Sequence, residues 1–142
     1  MSSGLVLYSS HDLTREELRE VILQSGGALK PEVDEEEPGG LIDGKAHLWV
    51  SHVPCYDGVA SDNEEELARL EQAKALIGGE FQTWLYIRLG REPGTQRLAV
   101  RFAYTCCQRW PCVVESEEPE LFSCQDIERL FQEDGAFTGY GL

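Results

Sequence analysis

The chain has 142 residues, of which 26 are Asp or Glu and 12 are Lys or Arg, giving a formal net charge of −14. This length predicts one domain, residues 1–142, and the 42% apolar content is enough to form a core. The acidic balance argues against nucleic acids and anionic membranes as partners, because both require clustered Lys and Arg. No apolar run reaches the ~18 residues of a transmembrane helix, and the N-terminus lacks the basic region of a signal peptide.

Five cysteines are an odd number in a chain long enough to fold without disulfides. We therefore expect reduced thiols and a cytoplasmic protein. No C-x2-C pair occurs, so we expect no metal site and no cofactor. Cys106, Cys112 and Cys124 are predicted to be small core residues. A thiol enzyme with Cys55 as nucleophile and His52 as base stays an alternative, although no oxyanion hole is identified for it.

The N-terminal region predicts a strand over 5–9 followed by a helix over about 13–25. Thr14 and Glu17 have the spacing of a capping box at the start of this helix. Gly26-Gly27 is a typical helix C-terminus.

The middle of the chain begins with residues 30–40, which hold five acids, two prolines and two glycines. This composition predicts a flexible acidic loop. Asp43-Gly44 then predicts a hairpin turn into a strand over 46–53. A second helix is predicted to start at a capping box formed by Asp62 and Glu65 and to end before Gly78-Gly79.

Three alternating segments, 81–89, 97–106 and 110–115, predict an antiparallel meander of three strands. A last helix is predicted after Ser123, which has the character of an N-cap. The predicted fold is α+β, with a mostly antiparallel sheet of about 4–6 strands and about three helices, mainly on one face.

The acids are concentrated in three stretches, 32–37, 62–66 and 115–120, which hold 13 of them and no Lys or Arg. Such runs are typical of solvated surfaces, and they also suit an acidic surface that docks onto a basic partner. Tyr56 beside Asp57 has the character of an aromatic anchor rimmed by charge. The predicted partner-binding residues are Asp34, Glu35, Glu36, Glu37, Tyr56, Asp57, Asp62, Glu64 and Glu65. Trp84 and Tyr86 share one face of a predicted strand and form an alternative docking surface if that face is uncovered.

The segments LYSSHDLTREELREVILQSGG and RWPCVVES…SCQDIERLF each place a strand before a capped helix. In this respect the chain resembles the immunity proteins of bacterial polymorphic toxin systems, which are small, acidic α+β proteins. The resemblance implies a non-enzymatic, cytoplasmic protein without catalytic residues. It implies a monomer or weak homodimer that binds a cognate toxin of a type VI or contact-dependent secretion system and occludes its basic active-site cleft. The alternatives are an adaptor or chaperone-like binding module and a small thiol-dependent enzyme.

Overall fold

The structure, a computed structural model, describes residues 3–31, 37–53, 64–116 and 120–137. The α+β class is confirmed, but this part of the chain has seven strands where about 4–6 were predicted, and four helices where about three were predicted. In chain order the elements are β1 (Ser3–Ser9), α1 (Arg15–Gln24), β2 (Ala28–Leu29), β3 (Gly39–Asp43), β4 (Ala46–Val53), α2 (Glu64–Ile77), β5 (Thr83–Leu89), α3 (Thr95–Cys107), β6 (Cys112–Glu115), β7 (Leu121–Ser123) and α4 (Cys124–Gln132).

The strands form one antiparallel sheet in the order β2-β3-β4-β5-β1-β6-β7. The first strand is therefore central: Leu7 of β1 lies between Leu85 of β5 and Val114 of β6. Because β5 and β6 both run antiparallel to β1, they are parallel to each other. The chain connects them through α3, which crosses over β1.

The helices divide the sheet into two faces. Helices α1, α3 and α4 pack on one, the inner face, where alternate strand residues and Phe102 of α3 are fully buried. Helix α2 packs on the opposite, outer face, where Ala73 and Ile77 cluster with Tyr8 and Val113. The prediction that the helices lie mainly on one face is confirmed.

The predicted helix ends are found at α1 and α4. The Thr14 hydroxyl accepts from the Glu17 N–H, and the Glu17 carboxylate accepts from the Thr14 N–H. Ser123 and Asp126 close a similar box at α4. Gly26, with a φ of 89°, ends α1 in the left-handed conformation that favours glycine.

Residues 95–107 form the helix α3, so the predicted strand over 97–106 and the predicted meander are wrong. The alternation that predicted a strand comes from Leu98, Val100, Phe102, Tyr104 and Cys106. Ala99 and Ala103 are also fully buried, and with Leu98, Phe102 and Cys106 they complete a stripe at helical spacing. The apolar residues of this segment therefore fit both the two-residue period of a strand and the 3.6-residue period of a helix. Gly94 is the N-cap of this helix, and its φ of 95° is in the left-handed region that favours glycine.

A disulfide joins Cys107, the last residue of α3, to Cys124, the first residue of α4, with the Cα atoms 5.6 Å apart. The prediction of five reduced thiols is therefore wrong, and Cys124 is not a free core residue. The hairpin of β6 and β7 reverses the chain between the two helices, and linear spacing does not reveal this approach. Cys106 and Cys112 are free and buried, as predicted.

Candidate partner-binding surface

One half of the outer face carries aromatic and polar side chains that no described helix covers. The register of β4 and β5 pairs Trp49 with Arg88 and Ser51 with Tyr86. His47 lies on the same face of β4, because alternate strand residues point to the same side. The Arg88 side chain is 46% exposed. We call His47, Trp49, Ser51, Tyr86 and Arg88 the open patch.

Three rings of this face lie against glycines on neighbouring strands or just beyond them. The pairs are Tyr86 over Gly4, Trp49 over Gly40 and His47 over Gly90. A Cβ atom at any of these glycines would overlap the ring above it. The missing side chains therefore let the rings lie along the sheet, and aromatic surface is presented to solvent.

Glu37 lies over the open patch as the centre of a polar network. Its Oε1 accepts from Lys30 Nζ at 2.6 Å and from Arg88 at 3.0 Å, and its Oε2 accepts from Ser51 at 3.0 Å. Burial alone raises the pKa of Glu37, but the bonds from Lys30 and Ser51 and the charge of Arg88 outweigh it, so the pKa is lowered. Lys30 Nζ also lies 5.3 Å from the centre of the Trp49 ring. Glu37 thus fixes two cations beside a half-buried aromatic residue, Trp49.

A cavity of about 330 Å³ opens at the end of the patch, between Trp49, Arg88, Arg91 and Glu92. His47 Nδ1 lies 3.8 Å from a Glu92 carboxylate oxygen. The lining is partly aromatic and partly charged, which suits a polar side chain from a partner protein.

Trp84 and Tyr86, which the sequence places on one face, have different surroundings. Trp84 packs edge-on against Tyr8, with ring centres 5.1 Å apart, and belongs to the cluster beneath α2. Tyr86 belongs to the open patch. The alternative docking surface therefore keeps Tyr86 but not Trp84.

The structure describes three of the nine predicted partner-binding residues. Glu64 and Glu65 are exposed in the first turn of α2. Glu37 is only 16% exposed and is held by the network above. The remaining six lie outside the described residues, and they are Asp34, Glu35, Glu36, Tyr56, Asp57 and Asp62.

Each of the three acidic stretches has at least one described acid on the same side of the sheet. Glu37 lies over the open patch, Glu64 and Glu65 begin the helix that packs on the outer face, and Glu115 is on the outer face of β6 by its pairing with Val6. The inner face is of mixed charge, because α3 contains two arginines and no acid, whereas α1 and α4 contain Glu16, Glu17, Glu20, Asp126 and Glu128. The described members of the predicted acidic docking surface, Glu37, Glu64 and Glu65, thus lie on the outer side of the molecule.

The sequence places Arg88 on one strand face with Tyr86, but it does not identify Lys30 or bring Trp49 into the same surface. Because side chains alternate along a strand, Trp49 and Arg88 each lie on a definite face of their own strand. Only the register of β4 with β5 brings the two residues together. Lys30 joins them through Glu37, a contact across seven residues of an acidic loop.

The described thiols do not form a reactive site. Burial raises the pKa of Cys106 well above its ordinary value and that of Cys112 to about 12. Such thiols stay protonated at neutral pH and are poor nucleophiles. No group of three or more His, Cys, Asp or Glu side chains among the described residues is arranged to hold a metal ion. Cys55 of the alternative thiol site lies outside these residues.

No helix in the described ranges is both long and apolar enough to cross a membrane. Comparison of the chain with protein-family models, curated proteins and solved structures gives no match. The function is therefore argued from the residues alone.

Proposed function

We propose that this protein is a non-enzymatic immunity protein, which binds a cognate bacterial toxin effector and occludes its basic active-site cleft. The outer side of the molecule, with the open patch at its centre, is the docking surface. The carrying observation is that Glu37, Glu64, Glu65 and Glu115, drawn from three separate acidic stretches, lie on this one side.

In protein interfaces, exposed charged residues and central aromatic residues have different roles, and this surface contains both kinds. Exposed acids such as Glu64 and Glu65 project a negative potential that steers a basic partner and raises the association rate by roughly 10–10³-fold. Aromatic residues such as Trp49 and Tyr86 contribute to the centre of an interface, where they govern dissociation. The exposed Arg88 beside Trp49 gives the centre one cationic contact, which adds specificity for a partner with an acid at that point.

The Cys107–Cys124 disulfide weighs against the predicted cytoplasmic location, because cytosolic reductants keep thiols reduced. The location stays a prediction, tested by the redox state of this pair in intact cells.

The decisive experiment is protection from the protein that co-purifies with this chain from its source cells, taken as the candidate toxin. Cells that express this toxin should survive when the chain is co-expressed, and the purified toxin should lose its activity when the chain is added. Survival without a complex between the two proteins would contradict occlusion. An adaptor would bind the toxin without inhibiting it, and that outcome would overturn the immunity proposal.

Association kinetics at several salt concentrations test the surface itself. The double variant Glu64→Gln, Glu65→Gln should associate more slowly with the toxin and show a weaker salt dependence. The matched control is Glu128→Gln, Glu133→Gln, at an exposed position of α4 and at its C-cap, which removes the same charge from the inner side. Equal effects of the two double variants would mean that only net charge matters and that the outer side is not the docking surface.

A further inference from the structure

A second cavity, of about 360 Å³, lies on the inner side of the molecule, away from the open patch. Helix α3 supplies Arg97 and Arg101, one turn apart on the same side of the helix. The end of β3 supplies Asp43, and the residues after α4 supply Asp134. Two cations and two anions therefore line one cavity.

These four charges are not neutralised by each other. Among the described residues, none of the four has an ion-pair partner within 4.0 Å, although ion pairs occur elsewhere on the surface. Arg101 is half-buried, and its Nε atom is buried without a hydrogen-bond acceptor in the described part of the chain. Asp43, Arg97 and Asp134 are exposed to water, so only the half-buried Arg101 lacks both water and a partner at its Nε, and a ligand that supplies an acceptor there is favoured.

The remaining wall of the cavity is apolar. It is formed by Leu98 and Val100 of α3 and by Leu130 and Phe131 of α4. Phe131 is 41% exposed, and its ring stacks on Tyr104 with the centres 4.1 Å apart and the planes at 4°. The stacked ring fixes a flat apolar surface beside the charged groups.

We propose that this cavity binds a small zwitterion with an apolar side chain, of the chemical class of the free apolar amino acids. The ligand carboxylate pairs with Arg97 and Arg101, and the ammonium group pairs with Asp43 and Asp134. Its side chain packs against Leu130 and Phe131. A simple anion would meet two carboxylates, and a neutral ligand would leave all four charges unpaired. This site is independent of the proposed toxin-binding surface.

Binding is tested on the full chain by NMR titration with three matched probes. L-phenylalanine carries both charges, 3-phenylpropanoate only the carboxylate, and 2-phenylethylamine only the ammonium. We expect L-phenylalanine to shift the amide signals of 94–101 and 130–135 and to bind about tenfold more tightly than either analogue, because each charged contact contributes at least that factor. Absence of shifts, or equal affinity for the three probes, would overturn the proposal.

Two variants separate the charges. Arg101→Gln should weaken L-phenylalanine binding about tenfold and leave 2-phenylethylamine unchanged, and Asp134→Asn should spare 3-phenylpropanoate but weaken L-phenylalanine. Asn tolerates the left-handed conformation of Asp134, whose φ is 53°. Arg97→Gln, at an exposed position, replaces Arg101→Gln if the latter does not fold. The control is Arg129→Gln on α4, because Arg129 pairs with Asp126 outside the cavity. A loss of affinity in the control as large as in Arg101→Gln would contradict the site.

Discussion

The imidazole of His11 lies parallel to the indole of Trp110, with the ring centres 5.2 Å apart and the planes at 7°. The same imidazole contacts the Glu17 carboxylate, with Nε2 3.0 Å from Oε2, and Glu17 closes the capping box of α1. Trp110 follows α3 and is 9% exposed. The stacked rings therefore connect the start of α1 to the end of α3. The Glu17 carboxylate contacts His11 in this stack and also closes the capping box of α1.

Glu17 should make stability depend on pH in the acidic range, below its ordinary pKa of 4.5. Its pKa is lowered by the backbone N–H of Thr14 and by His11. A group with a lowered folded pKa stabilises the protein above its ordinary value of 4.5, and that contribution is lost as the pH falls through the folded pKa. We expect urea unfolding to show a steeper loss of stability below pH 4.5 in the wild type than in Glu17→Gln. Glu16→Gln, an exposed neighbour, should follow the wild type, and a shared slope in all three would refute the role.

Removal of Glu37 should destabilise the protein as well as alter the open patch. The carboxylate is 16% exposed and accepts bonds from Lys30, Ser51 and Arg88. Glu37→Ala should lower the free energy of unfolding by about 1–3 kcal/mol, as expected for the loss of bonds to a charged group. Glu92→Ala, a half-exposed acid at the edge of the same patch, should cost much less. Similar losses in the two variants, measured by urea denaturation, would show that the network adds no stability.

The disulfide should contribute to stability and leave three thiols free. The pair closes a loop with a sequence separation of 17, and chain-entropy arguments give about 3 kcal/mol for a loop of this size. We expect Cys107→Ser, Cys124→Ser to lower the midpoint of urea unfolding, and reductant to do the same to the wild type but not to the variant. Thiol titration of the denatured, unreduced protein should find three thiols among the five cysteines. Five reactive thiols in protein alkylated within intact cells would instead support the cytoplasmic location.

Ala103 distinguishes the helix α3 from the strand that alternation predicts. In the helix Ala103 is fully buried, whereas in the predicted strand it would share the solvated face with Arg101 and Thr105. Ala103→Glu should therefore cost about 3 kcal/mol or more, because it buries an unpaired charge. The control is Ala75→Glu, the same substitution at an exposed position of α2, which should change stability by about 0.5 kcal/mol or less. Equal tolerance of both changes would place residue 103 on the surface.

Local signals predicted local structure well. The capping box at Thr14, the N-cap at Ser123, the strand over 46–53 and the turn at Asp43-Gly44 all depend on neighbours within a few residues. The segment over 30–40 was less well predicted, because Gly39 and Gly40 are buried residues of β3 and Glu37 is held by Lys30. Its middle, 32–36, lies outside the described residues.

Features that depend on distant contacts were not predictable. Apolar residues at both two-residue and helical spacing made α3 ambiguous, and its packing against the sheet selects the helix. The meeting of Cys107 with Cys124 requires that helix and the following hairpin. Trp49 and Arg88 are 39 positions apart and become neighbours only through strand register. Of the aromatic residues of the open patch, the sequence thus indicated Tyr86, whereas Trp49 joins it only through strand register.

The central place of β1 has a consequence for synthesis on the ribosome. This strand is made first, yet its two partners, β5 and β6, are completed only about a hundred residues later. At a synthesis rate of about 5–20 residues per second, both edges of β1 stay without their native partners for roughly 5–20 s. During that time Leu5, Val6 and Leu7 form an apolar segment of a nascent chain with both edges unpaired, which is a template for wrong pairing. Folding of this protein during synthesis is therefore expected to be sensitive to chaperones and to translation speed, even though β1 is paired along both edges in the finished sheet.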